Sequence, residues 1–212
     1  MENGNLATKL RVGKARASYA HVFEPVSFEE GGKKKYSITL IISKDNTDMV
    51  NKIKTLINNA FQIGKQTMWG GKIPAGANNP LYDGDIKRPD DEAYANCYYL
   101  QAKCDTKPGV NKVKGYKVVD GKRVLQIEEI TNEDEFYSGC YVYATVNFFP
   151  YNKIAKGVSC GLGNILKVED GESLGSRASA EHDFNDLDLP DEDLPFSPDS
   201  DPFAGKDDEC PY

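Results

Sequence analysis

From Cys140 to Tyr151 the residue types alternate with a period of two. Cys140, Val142, Ala144, Val146 and Phe148 fall on one face of an extended strand. Tyr141, Tyr143, Thr145, Asn147, Phe149 and Tyr151 fall on the other. The first set is a core face. The second offers four aromatic rings, two polar side chains and no carboxylate. Rings exposed on a sheet stack on unpaired bases at ~1–3 kcal/mol per base, while neighbouring Lys and Arg follow the phosphates. A duplex hides its base faces, so such a platform favours single strands. The same alternation also suits a strand packed under a loop or in a dimer interface, because Tyr is a good strand former. Tyr19, Trp69 and the pair Tyr98-Tyr99 leave the same two readings open.

Cations tip the balance toward binding. Lys9, Arg11, Lys14 and Arg16 interleave with Leu10, Val12 and Ala15, and further cations stand at Lys33–Lys35, Lys153 and Lys156. Each run taken singly reads as a solvated surface or turn. Together with the rings they nominate a set of DNA contacts: Lys14, Arg16, Tyr19, Trp69, Lys72, Tyr99, Lys103, Tyr141, Tyr143, Phe149, Tyr151 and Lys153.

Motifs for catalysis fail on inspection. Gly64-Lys65-Gln66-Thr67 has the outline of a phosphate loop, but the required earlier glycine is Asn59. Gly161-Leu162-Gly163 lacks the third glycine of a dinucleotide fingerprint. Asp83, Asp85, Asp90 and Asp91 could hold a metal ion, although Asp-Gly pairs more often make turns. His21 beside Val22 and Phe23 reads as a structural strand residue. With His21 and His182 the only histidines, a zinc site is not expected, nor is any cofactor. The five cysteines form no Cys-x-x-Cys pair and read as reduced thiols of a cytoplasmic protein.

The elements that must position these residues are mostly strands. Residues 8–23 read as one long strand ended by Pro25, and Tyr36–Ile42 as a second. Met49, Val50, Ile53, Leu56, Ile57, Ala60 and Phe61 recur at helical spacing, with Asn46 or Thr47 as cap and Gly64 as terminator. Residues 69–93 read as a long irregular loop, and Tyr94–Cys104 as a third strand. Tyr116–Val119 and Val124–Ile127 flank Asp120-Gly121, a hairpin signal. Val158–Leu162 and Ile165–Val168 are expected as a final pair of strands.

Charge divides the chain. Residues 169–212 carry 15 acids and 2 bases, −13, which leaves +6 on residues 1–168 within a net charge of −7. A basic body joined to an acidic segment points to nucleic-acid contact together with an interaction tail. Residues 1–173 suffice for one packed domain, and 174–212 are expected to be a disordered acidic tail. That tail repeats an order of acids, Pro and aromatic: Asp191–Phe196, Asp199–Phe203 and Asp207–Tyr212. No run approaches the ~18 apolar residues of a membrane span, and the first residues lack the apolar stretch of a secretory signal.

These residues resemble a phage single-stranded-DNA-binding family long known only as a domain of unknown function. The resemblance runs through Phe136–Asn152, Lys156-Gly157-Val158, Gly161–Ile165, Asp170-Gly171-Glu172 and Ala180–Phe184. Upstream it includes Ser18–Pro25, Lys35-Tyr36-Ser37, Trp69–Lys72 and Pro80–Asp85 in the same order. It implies a mainly β fold, an OB-fold-like β-barrel with one amphipathic helix, that coats single-stranded DNA in phage replication or recombination. The end of the chain is separately similar to the acidic tip of bacterial single-stranded-DNA-binding proteins, Asp-Asp-Asp-Ile-Pro-Phe. Here Asp207, Asp208, Glu209, Pro211 and Tyr212 keep that order and are the candidate contacts for phage or host replication and recombination proteins.

The expectation is thus a non-enzymatic coating protein of the host-cell cytoplasm whose tail competes with DNA for the basic groove. A homodimer is compatible with it. The alternatives are a metal-dependent nuclease using the Asp83–Asp91 carboxylates, and an acidic scaffold that binds a host protein and no DNA.

Overall fold

Among the described residues eight strands share one sheet, and five of them close into a barrel. The computed structural model describes residues 6–27 and 31–174. The strands are β1 (Lys9–Val26), β2 (Lys35–Ser43), β3 (Leu81–Asp83), β4 (Cys97–Cys104), β5 (Val110–Val119), β6 (Lys122–Glu129), β7 (Tyr141–Asn152) and β8 (Lys156–Glu169). Their order is β3-β4-β2-β1-β7-β8-β5-β6. A parallel contact between β4 and β8, at Ala102–Cys160 and Lys103–Gly161, joins the ring β1-β2-β4-β8-β7. The OB-like barrel expected from the sequence is present. The expectations that fall on the acidic segment from 175 onward, including Asp207, Asp208, Glu209, Pro211 and Tyr212, lie outside the described residues.

The interior follows the period of two. Val142, Ala144, Val146 and Phe148 of β7 are buried with Val12, Ala15 and Ala17 of β1 and Ile38, Leu40 and Ile42 of β2. Helix α1 (Thr47–Thr67) seals this core with Val50, Ile53, Ile57 and Ala60. Asn46 caps it, its side-chain oxygen accepting from the Met49 N–H.

Several boundaries differ from the expectation. Gly64 does not end α1; its role is packing, since a Cβ there would come within 2.5 Å of the Trp69 ring. β1 continues through Pro25 to Val26. The loop 69–93 holds β3, a short helix α2 (Gly84–Lys87) and a 3-10 turn at Glu92–Tyr94, so the strand expected from Tyr94 begins at Cys97. The last two strands are one, β8, whose register against β7 shifts between Ala144 and Val146. The Asp120-Gly121 hairpin forms as expected, both residues at positive φ, 51° and 74°. It is pinned to β8 only at Val110–Lys112 and extends beyond that point as a two-stranded ribbon. Among the described residues no helix is long and apolar enough to cross a membrane.

Candidate nucleic-acid interface

The outward face of β7 is open at its centre. Tyr143 and Phe149 are 37% and 42% exposed. The two polar positions between them are engaged by the fold. Thr145 Oγ1 accepts from the Asn164 N–H at 2.8 Å, holding the kink in β8, and Asn147 Oδ1 accepts from the Thr8 hydroxyl at 2.9 Å.

A groove of about 660 Å³ runs across this face, lined by Lys9, Arg11, Thr145, Asn147, Gly161 and Gly163. Arg11 and Thr145 also line an adjoining groove of about 390 Å³, with Tyr143, Asn164, Leu125 and Ile127. The two glycines keep the floor low. A Cβ at Gly161 would lie 3.2 Å from the Phe149 ring, and one at Gly163 would lie 2.3 Å from Thr145 Oγ1. The floor is therefore backbone and cations, with the rings of Tyr143 and Phe149 beside it.

The two ends of β7 differ. At one, Lys14 Nζ stands 4.7 Å from the centroid of the Tyr141 ring and pairs with Glu169. Arg16 donates to the Glu172 carbonyl at 2.8 Å and stands 3.9 Å from its carboxylate. The first acids of the acidic segment thus rest on two of the nominated cations. At the other end Tyr151 accepts from Asn78 Nδ2 at 2.7 Å, and shares a small polar cavity of about 160 Å³ with Lys103, Gln101 and Tyr82. Lys72 and Lys153 are exposed on turns near this end, the turn at 68–72 being tied to β7 by Asn152 donating to the Met68 carbonyl.

Three nominated rings are placed elsewhere. Trp69 is 8% exposed, stacks at an angle on Phe61 of α1 and donates its indole N–H to the Tyr151 carbonyl at 3.3 Å. Tyr99 is 6% exposed, stacked on Tyr82 at 5.1 Å and met edge-on by Tyr94 at 5.2 Å. Both are core residues and present no free face to a base, which corrects the expectation. Tyr19 is exposed but faces Arg88, which donates to its hydroxyl at 2.9 Å and also lies over Tyr94. Arg88 belongs to the segment 81–96, whose Tyr82 and Tyr94 pack with Ile41 of β2 and Tyr99 of β4.

Three of the four carboxylates of the nuclease alternative, Asp83, Asp85 and Asp91, are otherwise engaged. Lys44 Nζ bridges Asp83 and Asp85 at 2.7 and 2.6 Å. These hydrogen bonds raise the Lys44 pKa, and Lys44 holds the Asp85 carboxyl below the usual carboxylate range. Asp91 caps the 3-10 turn and faces Arg88 at 3.6 Å. Among the described residues no three His, Cys, Asp or Glu side chains converge to hold a metal. Burial pushes the Cys160 thiol up to about 12, so it is not poised as a nucleophile.

Lys9, Arg11, Leu125 and Ile127 line the groove but were not among the nominated contacts. Arg11 was visible in the basic strand. Nothing in the sequence places the hairpin residues over β7.

A family model described as Enterobacter phage Enc34, ssDNA-binding protein, matches residues 8–194. The p50 protein of Acyrthosiphon pisum secondary endosymbiont phage 1 is 32% identical over 196 residues, covering 87% of this chain and 97% of that protein. The solved structure of the single-stranded DNA-binding protein from bacteriophage Enc34 in complex with ssDNA is similar at a TM-score of 0.64 and 28% identity, over 79% of this chain and 90% of that one. The fold also resembles gp2.5, a single-stranded DNA binding protein encoded by bacteriophage T7, at a TM-score of 0.51 and 17% identity, over 84% and 93% of the two chains.

Proposed function

The chain belongs to the phage Enc34 single-stranded-DNA-binding family, and from that premise we propose that it coats unpaired DNA during phage replication or recombination, in the host-cell cytoplasm. The observation that carries the reading is the pair of open rings, Tyr143 and Phe149, beside a groove lined by Lys9 and Arg11. Rings stack on bases of any identity and cations follow the phosphates, so binding has little sequence preference.

The acidic segment competes with DNA for cations of the same strand, β1, and, once DNA displaces it, recruits replication or recombination proteins through Asp207, Asp208, Glu209, Pro211 and Tyr212. The contacts of Glu169 with Lys14 and of Glu172 with Arg16 support the competition. Both ligands of the groove are anionic, so the competition weakens as salt rises.

A salt titration of the full chain, and of a chain ending at residue 175, with single- and double-stranded oligonucleotides tests both parts. Single strands bind more tightly than duplexes, and the shortened chain binds more tightly than the full one, most of all at low salt. No binding of single strands at low salt would sink the reading. Equal affinities of the two chains at every salt concentration would remove the competing tail from it.

A further inference from the structure

The groove has a second wall that no residue of β1, β7 or β8 supplies. Leu125 and Ile127 of β6 line it opposite Arg11 and Tyr143. In an antiparallel ladder, directly paired residues share a face. Tyr116 pairs with Leu125, Val113 with Ile127, and Val118 with Arg123. The face of the hairpin that turns toward the groove therefore carries Val113, Tyr116, Val118, Leu125, Ile127 and Arg123.

That face is unusually apolar for its exposure. Tyr116 is 65% exposed, Val118 70%, Ile127 54% and Leu125 39%. A two-stranded ribbon has no core of its own to account for such residues, and an exposed apolar patch marks a binding surface. The opposite face is more polar, with Lys117, Lys122 and Gln126 beside Val119 and Val124.

We propose that the β5–β6 hairpin is a clamp on single-stranded DNA, with Tyr116 stacking on a base that Tyr143 and Phe149 do not reach and Arg123 contacting phosphate. The proposal rests on the reading that the groove takes single-stranded DNA. Two observations favour DNA over a second copy of the chain as occupant. The apolar face is continuous with the groove wall at Leu125 and Ile127. The ribbon also carries five cations, Lys112, Lys114, Lys117, Lys122 and Arg123, against three acids, Asp120, Glu128 and Glu129. The attachment at Val110–Lys112 leaves the tip free to close over a strand.

The test uses the full chain, fluorescence anisotropy with a labelled oligothymidylate short enough for one copy, and sedimentation on a long strand. Tyr116→Ala weakens binding of the short strand by about tenfold, the loss expected for one stacked base. Val119→Ser, on the opposite face, leaves it unchanged. Tyr116 lies on the surface, so its removal leaves the core intact, and Leu125→Ser provides a second variant on the same face. Equal losses from Tyr116→Ala and Val119→Ser would overturn the proposal. So would unchanged binding of the short strand by Tyr116→Ala with altered assembly on the long one, which would make the hairpin a contact between copies. If the unaltered chain binds no single strand, the reading beneath the proposal fails with it. If only the hairpin variants behave as the unaltered chain, the clamp alone fails.

Discussion

The ring of Tyr143 on β7 lies against the backbone of Gly13 on β1, so close that a Cβ built at Gly13 would stand 1.8 Å from Tyr143 Cδ1. Any side chain at position 13 must move the ring. Tyr143 is partly exposed and can swing outward, so the disturbance falls on the interface more than on the core. Gly13→Ala should lower affinity for single-stranded DNA toward that of Tyr143→Ala. The double variant should bind no worse than Tyr143→Ala alone, a coupling that a double-mutant cycle measures.

Open and buried rings should separate in two assays. Tyr143→Ala and Phe149→Ala each cost ~1–3 kcal/mol of single-strand binding and little stability. Trp69→Ala costs about 3–5 kcal/mol of folding free energy, because it empties a core site beside Gly64 and Phe61, while the folded fraction still binds. Anisotropy titration and urea unfolding on the same samples check this.

Arg11 lines both grooves, so it should neutralise a phosphate. Arg11→Ala should weaken binding to all single-stranded sequences alike and reduce the slope of log K against log salt by about 0.7. Titrations of mixed-sequence oligonucleotides across a salt series give both quantities.

Acid should loosen the fold through named carboxylates. Lys44 holds Asp85 below the usual range, Lys33 does so for Asp105, and Lys167 with Tyr137 for Asp170. The unfolded chain therefore takes up these protons at a higher pH than the folded one. Their contribution is present above the ordinary value of 3.8 and is lost as pH falls through the lower folded values. The melting temperature should drop between about pH 5 and pH 2, and Lys44→Met should make that drop shallower. Thermal melts followed by circular dichroism across that range provide the check.

Much of this was legible where a residue's environment is set by its near neighbours. The period of two in β7 separates buried Val142, Ala144, Val146 and Phe148 from the outward rings because a strand forces that alternation. Asp120-Gly121 marks its turn because both residues must take positive φ. What failed depended on remote partners. Trp69 and Tyr99 read like Tyr143 until Gly64, Phe61, Tyr82 and Tyr94 are seen to cover them. The sequence suggests two strands, Val158–Leu162 and Ile165–Val168, because Gly163-Asn164 interrupts the apolar run, whereas Thr145 holds that point as a kink within one strand. Arg11 was plain in the basic strand, but only the approach of β6 to β7 shows that it lies under a wall.

The barrel closes through a seam of two residue pairs, Ala102–Cys160 and Lys103–Gly161. The hairpin and all of β7 lie between those partners in the chain. Closure is thus a long-range event that bears its loop entropy before it gains much contact, so it comes late on the folding path. Until then the stretches of β4 and β8 that β3 and β5 do not cover keep free edges, which can pair with a neighbouring chain as readily as with each other. Refolding yield should consequently fall with protein concentration, a demand made of the chain long before any strand of DNA reaches it.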